Sequence, residues 1–236
     1  AAEVYEEARE PSLYLYQLQS EAHEQTAIIG DVPFSAVKEG RILPHERTQP
    51  HRSLHLADHL EKIGVHSSPV ALGYEDDAEV ASVISAIQNH ATPFLDFQRE
   101  DLITQKIWSV PEQDANVLLT LMHDKRAYVV DGHHRVSAAT EMWKRNGESE
   151  KYGQLFAALF PLGELKINAF HRRVTDMAGH SLDSLYQEIA AQDFTILPLD
   201  RPENPRLAAC GEFSMYVDHQ WTMIKPSRIH PSEIDS

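Results

Sequence analysis

Residues 131–135, Asp-Gly-His-His-Arg, set an acid, a glycine, two imidazoles and a guanidinium side by side, between the apolar run AYVV and the helix formers VSAATEMWKRN. A turn entering a helix leaves backbone N–H groups without intrahelical partners, and the helix dipole adds partial positive charge at the same end. Such an end attracts anions. Gly132 lets a ligand approach the backbone closely, whereas His133, His134 and Arg135 fall in the first turn, where positive side chains work against the helix. This conflict between local rule and sequence favours an anion site, in which Arg135 clamps a phosphate bidentately and the histidines donate to further oxygens. Asp131, at the strand end, could orient a histidine or Arg135, or hold a magnesium ion. The alternative is an ordinary turn, with Asp131 as helix cap and the basic side chains solvated or paired with nearby acids. Spacing alone stops at a phosphate or carboxylate bound here.

Three more clusters carry chemistry-bearing side chains. In ILPHERT, His45 and Glu46 lie in a loop just before a helix. A carboxylate beside an imidazole is a usable general base if the fold brings it to a substrate; otherwise Glu46 is a surface residue or part of the next helix's cap. His51, His55 and His59 recur every fourth residue, so a continuous helix would turn them one way as zinc or nickel ligands. Pro50 immediately upstream makes a helix through His51 doubtful, and no carboxylate shares the spacing. Last, AFHRRVTD places His171, Arg172 and Arg173 at an expected strand end, as a second set of phosphate contacts or as partners of surface acids.

Positioning these groups falls to alternating strands and helices. Strands are expected at 13–18, 27–34, 69–74, 105–110, 127–130, 156–162, 165–170, 194–199, 213–217 and 221–225, the last two as a hairpin whose turn lacks glycine. Helices are expected at 54–65, 77–91, 111–124, 135–147 and 181–192, with Asp76 or Asp77 as a cap for the second and Gly147 as the C-cap of the fourth. The polar QSEAHEQT reads as a connector between the first two strands. With 42% hydrophobic residues among 236, a real core is affordable, and the pattern indicates one α/β or α+β domain over 1–236.

A net charge of -15 repels polyanions and forfeits counterion release, which argues against nucleic acid but leaves a local nucleotide site open. No apolar stretch approaches the ~20 residues that span a bilayer. The acidic AAEVYEEAREP does not resemble a signal peptide, and Cys210 has no second cysteine to pair with. The expectation is a cytoplasmic protein without a membrane partner.

The ordered segments HERT, SPVALGYED, IWSV, YVVDGHHRVSAA and LKINAFHRRV resemble, over about residues 13–227, a family of uncharacterised bacterial and archaeal proteins with a DGHHR signature. Its members usually carry further sequence on both sides, so the chain looks like a central part. That family is similar to the ParB and sulfiredoxin superfamily, which implies a mixed sheet with surrounding helices and a phosphate-binding turn at a helix start. Gly132, Arg135 and Ala138 match the ParB-type G-x-x-R-x-x-A pattern, but the basic domain with which that type clamps DNA is missing. Gly132, His134 and Arg135 match the sulfiredoxin turn, whose cysteine nucleophile is replaced by His133, so sulfinic acid reduction is excluded. The third resemblance is to free-serine kinases, which carry a DGHHR turn and, upstream, a His-Glu pair before a helix and a strand beginning at proline, here His45-Glu46, 54–65 and Pro69. It implies a phosphotransferase with ATP or ADP and Mg2+, a nucleotide-binding core at about 35–175, phosphates on Asp131 to Arg135, and Glu46 as base on a small hydroxyl-bearing substrate. The competing implication is a non-catalytic nucleotide-binding switch.

Overall fold

Burial alternates along LYLYQL, with Leu15 and Gln17 inside and their neighbours half exposed, which is the signature of a strand with one face on a core. This strand, β1 (Tyr14–Ser20), pairs antiparallel with β2 (His23–Pro33), their register closing at Ser20 opposite His23. The expected connector QSEAHEQT is therefore mostly strand, and only Glu21 and Ala22 turn. Its polar residues fit a strand because one face lies in solvent, and the buried Gln17 is satisfied by donating to Glu24 at 3.0 Å.

Phe34, expected to end the second strand, instead opens the short α1 (Phe34–Lys38), followed by β3 (Ile42–Leu43) and α2 (Pro50–Ile63). Next come β4 (Val70–Tyr74), α3 (Ala78–His90), β5 (Leu95–Gln98), β6 (Thr104–Ser109), α4 (Glu112–Met122), β7 (Ala127–Asp131), α5 (His133–Arg145) and β8 (Gln154–Pro161). Asp77 is the cap of α3, accepting from Glu79 N at 2.8 Å and Val80 N at 3.0 Å, while Asp76 accepts from Gly163 N. Helix α5 begins and ends two residues earlier than expected, with Asn146 as C-cap and Gly147 (φ 69) just beyond.

These strands form one mixed sheet in the order β3-β7-β4-β8-β2-β1-β6-β5, in which β3 with β7 and β4 with β8 are parallel and the other pairs antiparallel. Helices α1, α2 and α5 bury Phe34, Ala57, Leu60, Val136 and Ala139 against Leu72, Val129 and Leu155. Helices α3 and α4 bury Val80, Ile84, Ile87 and Leu118 with Leu15, Ile28 and Trp108. Apolar residues at helical spacing thus supply two cores around one sheet.

The computed structural model describes residues 12–45, 48–66, 68–166, 171–199 and 211–227. The chain divides into two compact units, 1–166 and 167–236, and among the described residues the later strands pair with one another. In the second unit α6 (Leu182–Ala191) is capped by Ser181, and β9 (Phe194–Leu199), β10 (Phe213–Val217) and β11 (Gln220–Pro226) form an antiparallel sheet in the order β10-β11-β9. The hairpin turns at Asp218 (φ 47) and His219 (φ 62), two left-handed residues in succession, so it forms without the glycine that usually relieves such a turn. Of the strand expected at 165–170, Leu165 and Lys166 are in no strand and 167–170 lie outside the described residues. No helix of the described residues is long and apolar enough to cross a membrane.

Candidate anion site at the start of helix α5

The buried Val129 anchors β7 in the first core, and the strand delivers Asp131 to the sheet's end, where its partner strand β4 shifts register between Ala71 and Leu72. Gly132 then turns the chain with φ 98 and caps α5, its carbonyl accepting from Arg135 N at 2.8 Å and Val136 N at 3.0 Å. Gly132 itself has no side chain with which to cap the helix. Asp131, the cap under the ordinary-turn reading, instead accepts from Arg135 Nη2 at 2.6 Å. Arg135 Nη1 donates to Ser68 Oγ, just ahead of β4.

The guanidinium consequently folds back over Gly132, so closely that a Cβ on that residue would meet Arg135 Nε at 2.7 Å and Nη2 at 2.8 Å. Gly132 thus has two independent reasons to be glycine: its left-handed backbone and the guanidinium lying on it. Gly132→Ala is expected to cost about 1–3 kcal/mol of stability in denaturant unfolding and to displace Arg135, weakening any anion bound at the turn. Full stability with unchanged anion binding would contradict this geometry.

Helix α2 packs along α5 and closes the site on a second side. Its buried Ser53 places Oγ 3.5 Å from His134 Nδ1. The loop ahead of α2 is held down at two points: Thr48 and Ser137 hydroxyls are 2.9 Å apart, and the His45 ring meets the buried His133 ring edge to face at a centroid distance of 4.5 Å. Glu46 lies outside the described residues. His45, His133, His134, Arg135 and Asp131, separated by up to 90 positions, therefore converge around one helix start. The residues that sequence reading missed, Ser53, Ser68, Thr48 and Ser137, are hydroxyls whose role only the fold reveals; Ser68 carries a faint signal in preceding the strand-opening Pro69.

The other candidates lie on other elements. His171 and Arg172 are exposed in the irregular stretch 171–180 of the second unit. His51, His55 and His59 all lie on α2, because proline at the first helical position is tolerated, and all three are exposed. Among the described residues no three His, Cys, Asp or Glu side chains converge closely enough to hold a metal ion.

His66 lies two residues ahead of Ser68: burial pushes its pKa below the usual value, and Asp31 opposes that shift. The unfolded chain then takes up the proton at higher pH than the folded one, so stability is lost as pH falls through the ordinary imidazole range near 6.5. Thermal melts from pH 7.5 to 5.5 should show a drop that is smaller in His66→Gln; equal drops would remove His66 as a cause.

A family model described as "Protein of unknown function (DUF1015)" matches residues 1–235. No curated protein and no solved structure matches the chain.

Proposed function

We propose, for a chain that belongs to this DUF1015 family, a nucleotide-dependent phosphotransferase that moves a phosphoryl group from ATP or ADP to a small hydroxyl-bearing metabolite. One observation carries the reading: the Arg135 guanidinium, held by Asp131 and Ser68 over Gly132 at the start of α5. A helix start with its dipole and a fixed guanidinium are the elements from which phosphate sites are made. The likeness of the DGHHR turn to the ParB, sulfiredoxin and free-serine-kinase type adds the nucleotide.

Phosphoryl transfer asks mainly for positioning and charge neutralisation. Arg135, with three N–H groups beyond those given to Ser68 and Asp131, neutralises phosphate oxygens, and the first N–H groups of α5 fix their direction. Asp131 offers one exposed carboxylate, enough for a magnesium ion that takes its other ligands from phosphate and water. Mg2+ there would neutralise phosphate charge. The acceptor oxygen bonds to phosphorus as the bond to the departing nucleotide breaks, and its proton passes to Glu46 with His45 alongside.

The test is to incubate the protein with magnesium and ATP, or ADP, and a panel of hydroxyl metabolites, following nucleotide and phosphorylated product by NMR. Acceptor-dependent turnover is the expected result. Tight nucleotide binding without turnover on any acceptor would replace the enzyme by a nucleotide-binding switch, and no binding by the folded protein would end both readings.

A further inference from the structure

A second concavity lies away from the α5 turn. Strand β1 stops at Tyr14 opposite Ile29, so residues 30–33 of β2 run on beside β8 alone. Helix α4 and the segment around α1 close over that uncovered stretch and leave a cavity of about 400 Å³, within the usual ~300–1,000 Å³ of small-molecule sites. Its walls are apolar, with Ile28, Leu118, Leu119, Met122 and Leu159 among them. Leu119 is 55% exposed, an apolar side chain left open on this wall.

Two opposite charges sit among the lining residues. Arg41 is fixed before any ligand arrives: Nε and Nη2 donate to Glu39 at 3.0 and 2.8 Å, and Nη1 donates to His123 O at 3.2 Å. Those bonds use three of its five N–H groups and leave two. Asp31 is exposed and makes no hydrogen bond through its carboxylate among the described residues. A simple organic anion would meet Asp31, Glu39 and a chain charge of -15, and a simple amine would meet Arg41. A zwitterion with an apolar body meets neither penalty.

We infer that this cavity binds an apolar α-amino acid, its carboxylate on Arg41, its ammonium on Asp31 and its side chain against Leu118, Leu119 and Met122. The Arg41 end of the cavity stands apart from the α5 turn. Arg41 O accepts from Ala127 N at the start of β7, whereas the Asp131–Gly132 turn lies four residues further along the same strand, about 13 Å away at a strand's rise. Transfer requires reacting atoms about 3–3.5 Å apart. The inference rests on the cavity's own lining and not on the phosphate reading.

Titration calorimetry with L-phenylalanine and L-leucine tests this, alongside N-acetyl-L-phenylalanine and L-phenylalaninamide, each of which removes one charge. The free amino acids should bind, and each blocked derivative should bind at least about tenfold more weakly. Arg41→Gln should erase the difference between phenylalanine and its amide, and the exposed Asp31→Asn the difference between phenylalanine and its N-acetyl form. Leu119→Glu should weaken all of them. Circular dichroism confirms that each variant is folded, and Arg135→Ala should keep phenylalanine affinity. No heat from either amino acid at millimolar concentration, blocked derivatives binding as well as the parents, or loss of phenylalanine binding in a folded Arg135→Ala would each overturn the inference.

Discussion

Magnesium-ATP binding, read by titration calorimetry, is expected to fall at least about a hundredfold in Arg135→Ala while the melting temperature moves by only a few degrees. The asymmetry follows from what Arg135 touches. Within the protein it pairs with Asp131, whose side chain is 78% exposed, and with one serine hydroxyl. An exposed ion pair contributes about 0–1 kcal/mol, which in a chain this long corresponds to a shift of at most about 2–4 °C. Against a phosphate the same guanidinium makes charge-assisted hydrogen bonds worth about 1.5–3 kcal/mol each, and two of them exceed the ~2.7 kcal/mol of a hundredfold change. Arg135→Lys should recover part of the affinity, since it restores the charge but not the fork that reaches Asp131, Ser68 and the ligand together. A variant that loses its fold along with its ligand would assign Arg135 to the turn's architecture instead. A variant that binds as before would remove the α5 turn from the nucleotide site altogether.

Much of this corner was legible in the sequence because it breaks a local rule. Three positive or titratable side chains at the positive end of a helix have a local cost, and that cost singled out residues 131–135 before any fold was known. The same reasoning left Asp131 open between cap, metal ligand and arginine partner, since all three need a carboxylate at that place. Only the direction of Arg135, folded back over Gly132, selects the pairing with Asp131. Ser68 could not have been found this way: it lies 67 positions from Arg135, and serine carries neither periodicity nor charge.

Elements followed the same logic. Helices α3 and α4 announce themselves by apolar spacing, whereas β5 (LDFQ) was missed because four mostly exposed residues at the edge of a sheet need no apolar alternation. The β1–β2 hairpin was cut short for a related reason, since its polar outer end is held by backbone pairing rather than burial. The division into two units left no compositional trace, because which strands pair is decided by contacts that spacing does not encode.

The last expectation concerns Glu46. Glu46→Gln should lower transfer by about 10²–10⁴, the usual contribution of a positioned general base, while nucleotide affinity stays within a few fold. Glutamine keeps the shape and a hydrogen bond but cannot take the acceptor's proton. The flanking residues give the assignment its physical support: His45 lies against His133, and Thr48 bonds Ser137 on α5. His45→Ala should cost less than Glu46→Gln, about tenfold, because a neighbouring imidazole orients the base without receiving the proton. Rapid-quench measurement of a single turnover separates the possibilities. Unchanged transfer in Glu46→Gln places the base elsewhere around the α5 turn, and loss of nucleotide binding together with transfer makes Glu46 a binding residue, leaving the acceptor's proton to solvent.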